Sequence, residues 1–188
     1  MRLTEAAMNG DIALDAVYGR RLEIIRPSLS EVEKLAVKYK TSLVPDAADV
    51  VKTLTAAGAI VHLVTAGIEQ AIVPLARLLG IQRSRVHAVR LDFDSDGAYA
   101  GYDRRSFLTR PGGKAVVIRD IRARNHGKAV LIGDGVTDAE AAGTVDLFVG
   151  FGGVTMRPAV RDRSAVYISE LSLSALLPLI LEESDDDA

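Results

Sequence analysis

Two short apolar runs constrain this chain more than any other feature. Ala59-Ile60-Val61-His62-Leu63-Val64 and Ala129-Val130-Leu131-Ile132 are almost uninterrupted. A strand with one wet face alternates apolar and polar residues. A continuous run is the pattern of a strand covered on both faces, as in a parallel sheet. Small or polar residues follow each run, and then helical patterns over 68–79 and from Asp138 to Ala142. Further strands are expected at 86–91, 146–149 and 165–168, and helices at 114–124 and 171–182. Residues 91–102 read as a hairpin around Asp96-Gly97, a favoured tight turn. Strands alternating with helices imply an α/β fold, a doubly wound parallel sheet with helices on both faces.

The first 40 residues do not alternate in this way. Apolar residues recur at helical spacing up to Arg26-Pro27, where the residue before proline leaves the helical region. Ser28 or Ser30 can cap a second helix that runs to about Tyr39. A third spans about 46–57 and stops at Gly58. The expected organisation is a small helical unit over 1–42, an α/β core over 43–183 and a disordered acidic tail over 184–188.

Composition narrows the function classes. A net charge of −2 argues against a nucleic-acid footprint, which needs clustered Lys and Arg. The absence of cysteine removes disulfides and thiolate metal sites and fits a reducing compartment. No apolar run reaches the roughly 18 residues of a membrane span. Residues 171–181 come nearest, but Pro178 interrupts them. The first five residues lack the apolar stretch of a secretory signal. The expectation is a cytoplasmic protein acting on a small molecule, with neither membrane nor nucleic acid as partner. A homo-oligomer remains open.

In an open parallel sheet, ligands bind beyond the carboxyl ends of the strands. The loop after the first run is Thr65-Ala66-Gly67. A hydroxyl and free N–H groups at a helix start can hold an anion, but taken alone the loop reads first as an N-cap by Thr65 with a tight turn. The second loop reads Gly133-Asp134-Gly135-Val136-Thr137-Asp138. Two carboxylates four residues apart suit a hard cation such as Mg²⁺, or form a glycine turn with Asp138 capping the next helix. Between these loops, Lys114 follows Pro111-Gly112-Gly113 and opens a helix. It could reach an anion over the sheet end, or be one more surface lysine.

Taken together and in this order, the three loops resemble motifs II, III and IV of the haloacid dehalogenase (HAD) superfamily, in particular its phosphoserine phosphatase branch. Gly97-Ala98-Tyr99-Ala100-Gly101-Tyr102-Asp103 and Phe148-Val149-Gly150-Phe151-Gly152-Gly153 add to the likeness, which runs from about Ala7 to Leu181. The resemblance implies a HAD-like Rossmannoid core with a partial helical cap, and a Mg²⁺-dependent phosphatase of a small phosphorylated substrate. In it, an aspartate attacks phosphorus and a second aspartate is the acid/base group. Thr65, Ala66, Gly67 and Thr137 would hold phosphoryl oxygens. Lys114 would neutralise charge, and Asp134 and Asp138 would serve the metal. From the cap, Arg21 would pair with a substrate carboxylate, with Met8 and Gly10 lining the pocket.

One departure stands out. The Asp-x-Asp motif of that family should precede the cap, and no such motif precedes it in this sequence. Asp92-Phe93-Asp94 has the spacing but falls in the hairpin. The same run imitates a Ca²⁺ loop, which would need a helix on either side. A catalytically inactive phosphate-binding module and a phosphatase of another monoester are the alternative readings. Ala66 stands where the family has glycine. Residues 104–110 form a basic stretch, read as a solvated loop or a site for a more acidic substrate. His62, His87 and His126 lack ligand spacing and read as structural.

Overall fold

The computed structural model describes residues 14–181, with side chains from Tyr18 onward. Met8, Gly10 and the 184–188 tail lie outside the described residues. Helix α1 (Leu14–Ile25) ends where Arg26 turns left-handed at φ 42°, just before Pro27. Helix α2 (Leu29–Thr41) opens with a capping box. The Ser28 hydroxyl accepts from the Glu31 N–H at 3.3 Å, and the Glu31 carboxylate accepts from the Ser28 N–H at 2.8 Å. Helix α3 (Ala47–Ala56) follows, and Gly58 takes the left-handed turn after it at φ 90°.

Strand β1 (Leu63–Ile68) differs from the sequence expectation. It starts four residues late and runs on through Thr65-Ala66-Gly67, which was expected to be a loop. Parallel pairing with β2 (Val86–Val89) explains the extension. Leu63 faces Val86, and after an irregular stretch Ile68 faces Val89, so the partner keeps the backbone extended past the apolar run. Helix α4 (Glu69–Leu78) starts directly, with Ile68 as its N-cap and no side-chain capping bond. The N-cap reading of Thr65 is therefore corrected.

Strands β3 (Leu91–Phe93) and β4 (Tyr99–Tyr102) form an antiparallel hairpin. Asp94 Oδ1 accepts from the N–H groups of Asp96 and Ala98, and Gly97 supplies φ 78°. Asp94 thus closes a turn between strands, so the Ca²⁺-loop reading falls with its helices. Helix α5 (Gly113–Arg124) leads to β5 (Val130–Gly133), the short α6 (Val136–Ala139) and β6 (Leu147–Phe151). Helix α7 (Pro158–Arg161), which the sequence reading did not anticipate, precedes β7 (Val166–Ile168). Helix α8 (Leu176–Leu181) begins later than residue 171, because the Asp46 carboxylate holds Ser172, Leu173 and Ser174 at 2.6–2.9 Å.

The parallel strands come in two pieces. β1 pairs with β2, and β5-β6-β7 form a second sheet in that order, with no ladder joining β1 to β5. The expectation that both apolar runs are buried on both faces is corrected accordingly: every residue of β1 and β5 is only half-buried. One core cluster unites Tyr18, Leu22, Val32 and Ala36 of α1 and α2 with Ala71, Val89, Leu91, Tyr99 and Leu108. A second surrounds Val149, Phe151, Ile168 and Leu176. His62 and His87 stack at 5.4 Å between centroids, with Nδ1 of the first 3.2 Å from Nε2 of the second.

Candidate active site

Three glycines place the lysine. Gly112 sits at φ 66° as the N-cap of α5, a left-handed position that suits a residue without Cβ. Gly113 lies so close to the Phe107 carbonyl that a Cβ would sit 1.8 Å from its oxygen. Only that approach lets α5 start against the 107–109 turn. The first side chain of the helix beyond it is Lys114, whose Nζ donates to Asp138 Oδ1 at 2.5 Å. Both side chains are shielded, at 14% and 9% exposure. Gly133, at the end of β5, completes the arrangement, since a Cβ there would lie 2.2 Å from Asp138 Cγ.

Asp138 is fully engaged. Its second oxygen accepts from the Gly135 N–H at 3.1 Å, closing the first turn of α6. Asp138 thus closes the first turn of α6, as the capping reading had it, and also pairs with Lys114, a contact the sequence did not foretell. Asp134 differs. Arg157 Nη1 donates to its Oδ2 at 2.7 Å and to its main-chain oxygen at 3.0 Å. Its side chain is 41% exposed, and Oδ1 has no hydrogen bond among the described residues. Arg157 itself is only 12% exposed, and its Nε is buried without a partner. Sequence reasoning missed Arg157. Its one signal is position, directly before Pro158 at the start of α7.

The donor set fits a hard cation of modest demand. No group of three or more His, Asp or Glu among the described residues is placed so that it could hold a metal ion by itself. Mg²⁺ needs only one or two carboxylates when water and substrate phosphate supply its other ligands. Asp134 Oδ1 offers such a carboxylate at the mouth of the site, and Asp138 backs it from within.

Thr65 lies on β1, and its Oγ1 accepts from the Gly67 N–H at 3.0 Å. That bond fixes the hydroxyl oxygen and leaves its proton free to donate. Gly67 is tight here, with a Cβ position 3.2 Å from Thr65 Oγ1. Ala66 packs against the first core cluster, and Thr137 is half-buried within α6. Arg21 is half-buried on α1, which packs on the 107–109 turn leading to Lys114. No carboxylate among the described residues forms an ion pair with it. The Tyr18 phenol on the same helix is pushed up by burial, against the opposing pull of Arg21. The basic stretch folds on itself: Arg110 donates to the Arg104 carbonyl, Arg105 pairs with Asp103, and Arg104 lies over the Tyr102 ring. Asp92 pairs with Arg90.

Comparison with known proteins adds independent observations. A family described as haloacid dehalogenase-like hydrolase matches residues 6–143. Phosphoserine phosphatase of Bos taurus is 34% identical over 169 residues, covering 89% of this chain and 75% of that protein. The chloroplastic phosphoserine phosphatase of Arabidopsis thaliana is 38% identical over 160 residues, covering 84% and 54%. The crystal structure of a phosphoserine phosphohydrolase-like protein from Francisella tularensis subsp. tularensis SCHU S4 superposes with a TM-score of 0.85. At 24% identity, covering 96% of this chain and 83% of that one, it shows the shared fold. No described helix is long and apolar enough to cross a membrane.

Proposed function

The chain belongs to the haloacid dehalogenase-like hydrolase family, among its phosphatases, and from that premise we propose that it serves the hydrolysis of O-phosphoserine to serine and phosphate with Mg²⁺ as cofactor. The observation that carries this reading is the shielded Lys114–Asp138 pair, 2.5 Å long, at the carboxyl end of β5 beside Asp134.

Phosphoryl transfer depends mainly on positioning and on charge stabilisation. The Thr65 hydroxyl, oriented by the Gly67 N–H, donates to a phosphoryl oxygen. Lys114 keeps two further ammonium protons beyond its bond to Asp138, and these face the phosphate. Asp134 would hold Mg²⁺ with Asp138 behind it, and the cation when bound supplies further neutralisation of phosphate charge. Thr137 and the backbone at Ala66 and Gly67 complete the phosphate cradle. Arg21, with a planar fork suited to carboxylates, receives the substrate carboxylate from the cap side, and the family resemblance implies Met8 and Gly10 as further substrate residues.

We take the nucleophile to be an aspartate of an Asp-x-Asp motif ahead of the cap, as the family resemblance implies. In the two-step chemistry that the family resemblance implies, an aspartate attacks phosphorus and the ester P–O bond breaks. The leaving alkoxide takes a proton from a second aspartate, which then deprotonates the water that hydrolyses the acyl phosphate. Asp92 and Asp94, which have the spacing, are committed to Arg90 and to the hairpin turn. A cytoplasmic setting fits the cysteine-free composition.

The test is phosphate release from O-phosphoserine with and without Mg²⁺. These 188 residues alone are expected to release none. A chain carrying an Asp-x-Asp segment ahead of Met1 is expected to turn over only with Mg²⁺. Turnover by the 188 residues alone would overturn the external nucleophile. Phosphoserine binding without turnover by the extended chain would favour an inactive binding module, and preference for another monoester would move the substrate.

A further inference from the structure

The basic stretch after the hairpin has no part in the phosphatase reading. Residues 104–110 read Arg-Arg-Ser-Phe-Leu-Thr-Arg, within a chain of net charge −2. The fold holds this loop firmly. The Asp103 N–H donates to the Arg90 carbonyl at 2.9 Å, and Asp103 Oδ1 accepts from the Arg105 N–H at 3.0 Å. Thr109 Oγ1 donates to the Ser106 carbonyl at 3.0 Å. Leu108 and Thr109 are buried and anchor the loop to the body of the protein. A loop so held has little conformational freedom left to lose on binding.

Three guanidinium groups and one aromatic ring stay outside. No carboxylate among the described residues pairs with Arg104 or Arg110. Arg104 lies over the Tyr102 ring at 5.7 Å, and Arg110 gives one donor to the Arg104 main-chain oxygen at 3.1 Å. Each guanidinium has five N–H donors, so most of theirs are unused. Arg105 pairs with Asp103 at 3.7 Å, but its side chain is 97% exposed, and such a pair contributes little. Phe107 stands in the same loop with 51% of its surface in water. Other arginines are matched: Arg83 by Glu69, Arg122 by Asp146 and Arg157 by Asp134. Exposed arginine beside an exposed aromatic is the composition of residues that dominate protein interfaces.

Charge and apolar surface together select the partner. The arginines call for anions, and Phe107 calls for apolar surface beside them. Inorganic phosphate offers no apolar surface. Nucleic acid carries charge along its whole length and binds along an extended basic track, whereas this stretch is seven residues in an acidic chain. A short polypeptide segment with carboxylates on either side of an aliphatic residue meets both demands.

We propose that residues 102–110 form a docking surface for an acidic segment of a partner protein. Its carboxylates pair with Arg104, Arg105 and Arg110, and its aliphatic side chain covers Phe107. The 107–109 turn packs on α1, β1 and α5, which carry Arg21, Thr65 and Lys114, so the docked segment lies against elements that build the candidate active site.

The probe is fluorescein-labelled Gly-Asp-Glu-Leu-Glu-Asp-Gly, titrated onto the 188-residue chain by anisotropy. Saturable binding is expected at about 20 mM salt, weakened about tenfold at about 200 mM. Replacing Arg104 and Arg110 together by alanine is expected to weaken binding by about tenfold or more. Phe107→Ser, or serine in place of the peptide's leucine, is expected to weaken it by about threefold. Arg105→Ala touches no hydrogen bond of the loop backbone and is expected to weaken binding by about threefold, which keeps the test decisive should the double variant disturb the loop. Absence of saturable binding at the lower salt would overturn the proposal, as would affinity unchanged in the arginine variants. Equal binding of the serine peptide would reduce the surface to a simple anion site, and tighter binding of an oligothymidylate of equal charge would make it a nucleic-acid surface; either result overturns the proposal. No phosphate chemistry enters these readouts, so their failure leaves the phosphatase reading intact, and failure of phosphoserine turnover leaves this one intact.

Discussion

β5 and β6 lie side by side, are similarly apolar, and have different fates. In β6, Phe148, Val149 and Phe151 are at most 8% exposed. In β5, every residue from Val130 to Gly133 is only half-buried. β6 has a strand on each edge, whereas β5 has one on β6's side alone. β1, with only β2 beside it, behaves like β5. Val89 of β2 and Ile168 of β7 are buried although each strand has a partner on one edge alone, since helices and loops can cover the other edge. What leaves β1 and β5 half-buried is the cavity that their residues line, rather than the count of neighbouring strands.

The strongest way to break this contrast is to truncate both sides of it. Phe148→Ala on β6 is expected to cost about 3–5 kcal/mol, as for a fully packed aromatic. Leu131→Ala on β5 is expected to cost about 1–2 kcal/mol, because part of that side chain already meets the cavity. Urea denaturation measures both, and equal losses would show that β5 is as well packed as β6. Next comes the polar end of β5. Lys114→Met strands the shielded Asp138 carboxylate and is expected to cost about 3 kcal/mol. Arg157→Met leaves the more exposed Asp134 and should cost at most about 1 kcal/mol. Matching costs for the two pairs would mean that burial does not separate them.

Gly150→Ala sharpens the picture of β6. Its Cβ would sit 2.2 Å from Ser164 Oγ and 2.7 Å from Tyr167 Cδ2, so a loss of about 1–3 kcal/mol is expected. At Gly143, with nothing within 4 Å of the added Cβ, the same change should be close to neutral.

The smallest effect concerns the N-terminal end of β1 and β2. Burial lowers the pKa of His62 first, then the neighbouring His87, Arg85 and Arg124. Burial likewise lowers His87, with Arg124 adding and Asp120 opposing. The folded chain therefore binds fewer protons than the unfolded chain once pH falls through the unperturbed value of 6.5. Stability contributed by the neutral pair is full above that pH and declines below it. Tm is expected to be lower at about pH 5 than at about pH 7, and His87→Phe should flatten this slope. An unchanged slope in that variant would place the proton uptake elsewhere.

Much of the site was legible because its residues act through local geometry. Lys114 after two glycines, and Asp134 and Asp138 within one turn after a strand, announce themselves by spacing, whereas the contact of Lys114 with Asp138 does not. Arg157 was not legible. It reaches Asp134 across 23 positions of sequence, and its one local signal, a place directly before Pro158, says nothing of that partner. Thr65 was misjudged for a related reason: parallel pairing with β2 keeps it in a strand, where local signals favoured a helix cap.

The sequence by itself determined the alternation of strands and helices, the glycine turns and the capping box at Ser28, because these depend on φ/ψ preference and on neighbours within a few residues. Only the tertiary structure decided how deeply each apolar strand is buried, which cation faces Asp134, and that the sheet is open between β1 and β5. Those outcomes depend on which edges and charges distant segments bring together, and an apolar run reads the same whether or not a strand lies beside it.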